Sequence, residues 1–234
     1  MYFGGFDPTI IIFIPAVIFT LYAQRKVNRA YRKYSGVRNR RGITGAQAAR
    51  RILDVNGLGY VPIGITPGVL SDHYDPSADV LNLSPDVYNG TSVAAVSIAA
   101  HEAGHALQDG GSYAFLRFRS ALAPVTNLAS SASWIMIAVG FVLIALGKLT
   151  TGNLVFDIGI LLFAVVVLFH LITLPVELNA SRRAISQLTG LGIIDAAEVK
   201  GARKVLSAAA MTYVAALATA VLELIRLLLL RGRE

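Results

Sequence analysis

The stretch from Val125 to Gly147 contains no charged residue, and this constrains the fold more than any other part of the chain. A helix needs about 20 apolar residues to cross a bilayer core. Only helices and closed barrels leave no backbone group unpaired in lipid. Leu154 to Val176 is a second such stretch, with Asp157 and His170 as its ionisable residues. The link Lys148 to Asn153 is too short for a domain, so the two stretches predict a helical hairpin with an external turn. Pro8 to Tyr22 reaches spanning length if Phe3 to Ala23 is recruited. Val205 to Leu230 is the fourth stretch, and its alanine-rich first half suits close helix packing in lipid. Glu223 and Arg226 interrupt its second half, so it spans or lies partly in the interface. A composition of 55% hydrophobic residues and a mean hydropathy of +0.60 also exceed those of an ordinary soluble domain.

The net charge of +7 suggests a nucleic-acid partner until its distribution is considered. Between Arg25 and Arg51 there are ten Lys and Arg and no acid, directly after the first apolar stretch. Such a block marks a cytoplasmic flank drawn to anionic lipid heads. No RNA- or DNA-binding motif accompanies it, so the reading is a lipid bilayer and no nucleic acid. A cleaved signal peptide carries its positive charges ahead of the apolar run. Here they follow it, which predicts an uncleaved anchor with an external N-terminus. Four crossings then put the C-terminus outside, although the basic Arg231-Gly232-Arg233 argues against that side. The expected organisation is an anchor (1–24), a cytoplasmic part (25–123), a transmembrane hairpin (124–176), a cytoplasmic helical region (177–204) and a last transmembrane or interfacial helix (205–234). With no cysteine, disulfides and thiolate ligands are excluded.

Within the cytoplasmic part, Thr44 and Gln47 have the spacing of a capping box opening an amphipathic helix that Gly57 ends. Leu58 to Val69 reads as short extended segments, Ser71 to Pro76 as a polar turn, and Val80 to Ser84 as a strand. Then comes Ala100-His101-Glu102-Ala103-Gly104-His105-Ala106, an HExxH pattern holding two of the four histidines. Thr91 or Ser92 is placed to cap its helix, and Gly110-Gly111 to stop it. Imidazoles four residues apart share one helix face and can bind one Zn²⁺, with Glu102 placed to take a proton from water. Gly104, lacking a Cβ, suggests close approach of another backbone. The fold class expected is a mainly α membrane protein with a small α+β cytoplasmic part. About four transmembrane helices surround a zincin-like HExxH helix and a short sheet.

Catalytic zinc takes three protein ligands and leaves one position open. Glu177, Asp157, His170, His73, Asp72 and Asp75 are the candidates for the third. Glu177 is favoured because it lies at the cytoplasmic end of the third span, where the hairpin returns the chain to the histidines' side. It belongs to a segment that looks helical after Pro175. Asp157 would require an intramembrane site of the site-2 kind, and its setting, Phe-Asp-Ile-Gly, is not the LDG-type motif of those proteases. His170 is equally a packing residue near the headgroups.

The blocks Asp72-His73-Tyr74-Asp75-Pro76, Tyr88-Asn89-Gly90, Ala100 to Ala106 and Glu177-Leu178-Asn179-Ala180-Ser181-Arg182-Arg183-Ala184 resemble those of the YugP-like neutral zinc metallopeptidases of bacterial membranes. The resemblance covers essentially the whole chain. It is shared more distantly with HtpX-like and CAAX prenyl proteases, which usually continue the Glu with an Ala-Asp pair where this chain has Ala180-Ser181. It implies a membrane-embedded endopeptidase in a bacterial cytoplasmic membrane, facing the cytoplasm. One zinc would be held by His101, His105 and Glu177, with Glu102 as general base and a polypeptide as substrate.

An oxyanion donor beyond the metal is needed. His73, Tyr74 and Arg182 or Arg183 are candidates, His73 first among them, although a turn histidine bonded to Asp72 or Asp75 is the reading its setting favours. Asn179 is placed to orient Glu177. Leu81, Asn82 and Leu83 would lie in an edge strand that binds a substrate strand. A zinc-binding scaffold without catalysis is the reading from another class. Homo-oligomers or membrane partner proteins fit either reading.

Overall fold

The computed structural model describes residues 11–232, and its elements are mostly helical. Helix α1 is Phe13–Ser35 and α2 is Gly45–Val55. Strands β1 (Ile63–Ile65), β2 (His73–Asp75) and β3 (Val80–Leu83) follow, then the short α3 (Pro85–Tyr88) and α4 (Val93–Gly110). Three long helices complete the chain: α5 (Ala114–Ala145), α6 (Leu149–Gly190) and α7 (Ala196–Arg231). Each of these three is long and apolar enough to cross a membrane. The first expected span falls partly on residues 1–10, which lie outside the described residues. Its remainder is the apolar start of α1.

The chain divides into two compact units. One comprises Met1–Tyr22, Phe118–Leu174 and Tyr213–Glu234. Its outward side chains are large and apolar, with Leu128 74% and Leu161 69% exposed, while polar Thr126 and Ser133 are buried. In water this would leave a costly apolar surface; in lipid the acyl chains solvate it. The interior is built from Ile137, Phe156, Ile160, Phe163 and Leu227. Trp134 packs edge-on against Phe163, with ring centroids 5.8 Å apart. The neighbouring helices approach at glycines. A Cβ on Gly140 would lie 2.8 Å from the Phe156 nitrogen, and one on Gly159 2.9 Å from the Ile137 nitrogen. Asp157 is held by Arg231 through contacts of 2.6 and 3.1 Å.

The other unit comprises Ala23–Arg117 and Pro175–Thr212. Its core joins Ile52 and Leu53 of α2, Leu81 and Leu83 of β3, and Val96 and Ala103 of α4. It also takes in Leu188 of α6 and Leu206 of α7. The capping box of α2 forms as its sequence spacing suggests: Thr44 Oγ1 accepts from the Gln47 N–H and Gln47 Oε1 from the Thr44 N–H. The sheet has the order β1-β3-β2, with β1 parallel and β2 antiparallel to β3.

Three expectations are corrected. Ser71 to Pro76 is not wholly a turn, because His73–Asp75 pairs with Asn82, Leu81 and Val80 as β2. That pairing makes β3 the central strand, so Val80 to Ser84 is no edge open to a substrate. Leu81 and Leu83 are fully buried in the core, while Val80 and Asn82 are partly exposed. Finally, Pro175 does not start a new helix; α6 runs through it unbroken.

A leucine at Gly140 should drive its helix off Phe156 and destabilise the first unit by roughly 1–3 kcal/mol, the usual cost of overpacking. Thermal unfolding in detergent, followed by an apolar-unit probe, should show a lowered midpoint with zinc content unchanged.

Candidate metal centre

Helix α4 starts where Ser92 Oγ accepts the Ala95 N–H at 3.0 Å, satisfying one of the unpaired donors of its first turn. Its alanine-rich body then carries His101 and His105 on one face, with ring centroids 4.8 Å apart. Opposite them stands Glu177 of α6. His101 Nε2 lies 3.2 Å, and His105 Nε2 3.6 Å, from the same oxygen, Glu177 Oε2. One nitrogen or oxygen atom from each of the three falls within 4.8 Å of the others, and this is the one group among the described residues that could hold a metal ion.

Gly104 accounts for the approach of the two helices. A Cβ there would lie 2.7 Å from the Ala180 carbonyl oxygen, so its absence lets the backbones touch. This is the contact that Gly104 implied in the sequence.

Two donors on one tetrahedral zinc, each about 2.0–2.1 Å from it, stand about 3.3 Å apart. The two contacts to Glu177 Oε2 already have about that length. Two imidazoles and a carboxylate suit zinc, whereas calcium and magnesium take all-oxygen sets. Glu177 is 1% exposed, and a buried carboxylate needs positive charge or donors beside it. The residues present therefore fit a zinc ion.

The outer ring nitrogens are also engaged. His101 Nδ1 is 3.2 Å from Ser181 Oγ, and His105 Nδ1 is 3.0 Å from Gln108 Oε1. Gln108 and Ser181 escaped the sequence reading. The faint signal was their spacing: Gln108 follows His105 by three residues, and Ser181 follows Glu177 by four, each on its neighbour's helix face.

Glu102 is buried beside this group, and its Oε2 accepts the Tyr74 backbone N–H at 3.1 Å. Burial pushes its carboxyl up to about 7; the Glu177 and Asp72 carboxylates add to this, against His101 and the Tyr74 N–H. Tyr74 thus reaches Glu102 through its backbone. Its hydroxyl lies 2.9 Å from both Asp79 Oδ1 and Asp109 Oδ2, and burial with these carboxylates raises the phenol's pKa.

The other expected residues are placed as follows. The exposed His73 bonds Ser71 O at 2.8 Å through Nδ1 and faces Asn82 at 3.4 Å through Nε2, in place of Asp72 or Asp75. Asp72 accepts from the Ser84 N–H and Oγ, and burial raises its pKa. Asn179, expected beside Glu177, accepts from Gln108 Nε2 at 3.0 Å and Arg183 Nε at 2.8 Å. Arg182 is exposed, with Nε 3.4 Å from Leu178 O. Asp157, the rival third ligand, has its carboxylate on Arg231.

The family described as "Putative neutral zinc metallopeptidase" matches residues 9–232. The protein of Bacillus subtilis strain 168 named "Putative membrane protease YugP" is 46% identical over 228 residues, which is 96% of this chain and 98% of that protein. No solved structure matches the chain.

Replacing Gly104 by valine should force α6 away at Ala180 and separate Glu177 from the imidazoles. Zinc affinity, read by chelator competition, should fall about tenfold or more, while far-ultraviolet circular dichroism keeps its helical signal.

Proposed function

This chain belongs to the neutral zinc metallopeptidase family and is an integral membrane protein, and from that premise we propose that it is a zinc endopeptidase using His101, His105 and Glu177 as ligands and Glu102 as general base. The observation that carries the reading is the convergence of two imidazoles and one buried carboxylate within 4.8 Å. When bound, zinc supplies a Lewis acid that polarises the scissile carbonyl and lowers the pKa of water.

The chain's own residues supply the rest. Glu102 takes the proton of the attacking water and passes it to the leaving amine. A carboxyl titrating near 7 suits both transfers, and the Tyr74 N–H holds Oε2 in place for them. Gln108 and Ser181 orient the rings from behind.

The substrate would lie along the outer edge of β2. His73, Tyr74 and Asp75 pair in register with Asn82, Leu81 and Val80 of β3, and the Tyr74 N–H goes to Glu102. Because Glu102 takes the Tyr74 N–H, a peptide would lie beside β2 and against the general base without pairing through that donor. His73, exposed and one residue from that contact, is the proposed oxyanion donor, with Arg182 as the second candidate. Ten Lys and Arg between Arg25 and Arg51 support a site facing the cytoplasm of a bacterial membrane.

Purified protein and four variants test this. His105→Ala and Glu177→Ala should lose zinc, and Asp157→Ala should keep it. Glu102→Gln should retain zinc and lose about 10²–10⁴-fold of peptide cleavage. Full zinc content in Glu177→Ala, or parental cleavage by Glu102→Gln, would end the proposal.

A further inference from the structure

We propose that Gln108 is a positioning residue that fixes the metal-binding tautomer of His105 and ties that ring to the turn of α6 bearing Glu177. The inference rests on the zinc reading above. Gln108 is fully buried, so each polar atom of its amide needs a partner. All of them have one. Nε2 donates to Val176 O at 2.8 Å and to Asn179 Oδ1 at 3.0 Å, while Oε1 faces His105 Nδ1 at 3.0 Å.

The orientation of the amide is dictated by this network. An amide nitrogen carries two protons, and the Val176 carbonyl can only accept. Arg183 Nε donates to Asn179 Oδ1 at 2.8 Å, which keeps that oxygen turned to its donors. Oε1 of Gln108 must therefore be the atom beside His105, and it can only accept. Oε1 is 3.0 Å from Nδ1 and within hydrogen-bond reach, whereas the Glu177 oxygen is 3.6 Å from Nε2, so the proton of a neutral His105 sits on Nδ1 and the lone pair on Nε2.

Two further features separate this role from ordinary packing. The acceptors for Nε2 flank Glu177, with Val176 one residue before it and Asn179 two after. One side chain thus holds a ligand of α4 and both sides of a ligand of α6. The other ring is treated differently. His101 Nδ1 faces Ser181 Oγ, and a hydroxyl both donates and accepts, so it prescribes no tautomer. His105 is the preset ligand and His101 the adaptable one.

The test compares Gln108→Met, which keeps the length of the side chain without its hydrogen bonds, with Gln108→Glu, which keeps the acceptor and loses both donors. Leu188→Ala, in the same core away from the ligands, serves as the control. Zinc affinity by chelator competition and the visible spectrum of the cobalt-loaded protein are the readouts. Gln108→Met should bind zinc about 10–100-fold more weakly with an altered cobalt spectrum. Gln108→Glu should fall between it and the parent, and Leu188→Ala should lose thermal stability with parental affinity.

Parental affinity and spectrum in Gln108→Met overturn the inference, as does an equal loss in Leu188→Ala. If the Gln108 variants do not fold, the unsubstituted chain still decides. In the metal-free protein at alkaline pH, ¹⁵N shifts should put the His105 proton on Nδ1; a proton on Nε2 overturns the inference. A parent that binds no zinc, or a His105→Ala variant that binds it as tightly, removes the zinc reading and this inference together.

Discussion

Two helix backbones can touch only where a side chain is missing, and the site depends on one such place. At Gly104, α4 meets the Ala180 carbonyl of α6. The three residues that could hold a metal lie around that point: His101 and His105 on either side of Gly104, and Glu177 one turn before Ala180. An imidazole or glutamate side chain is short, so its donor atom reaches a shared centre only if the helix axes are close. A methyl group at Gly104 would meet a backbone oxygen, which has no rotamer by which to yield. The burial of Glu177 follows from the same contact, and that burial makes the surrounding donors obligatory.

The apolar unit uses the same device for a different reason. Within lipid, acyl chains are as apolar as leucine, so little drives one helix onto another except close packing and hydrogen bonds. Gly140 and Gly159 supply the packing there. In the other unit the aliphatic core already holds α2, α4, α6 and α7 around the sheet. Gly104 adds to that core the close spacing of α4 and α6 at which His101, His105 and Glu177 meet, and its contribution is geometric more than cohesive.

What was legible in the sequence follows the range of the forces involved. The caps at Thr44 and Ser92 are local, since each side chain bonds a backbone group three residues away, and they form as read. Gly104 was readable because a glycine inside a helix costs stability and so implies a neighbour. His73–Asp75 was not readable as a strand, because its extended form comes from pairing with β3 and not from its own composition. For the same reason, no local pattern tells a central strand from an edge. Pro175 reads as the residue after which a helix begins, yet α6 continues through it, as helices in lipid tolerate a proline. Gln108 carries only a faint local mark, its place three residues after His105: its other two partners lie on α6, and only the fold assembles them.

Trp134 is the chain's single tryptophan, and it sits in the apolar unit, 48% exposed on a lipid-facing helix. Intrinsic fluorescence excited at the indole band therefore reports that unit alone. Brominated acyl chains should quench it, and loss of the packing against Phe163 should shift its emission. The unit holding His101, His105 and Glu177 is dark at those wavelengths. A melting curve taken from Trp134 emission therefore follows the apolar unit, and the unit holding the histidines needs a probe of its own.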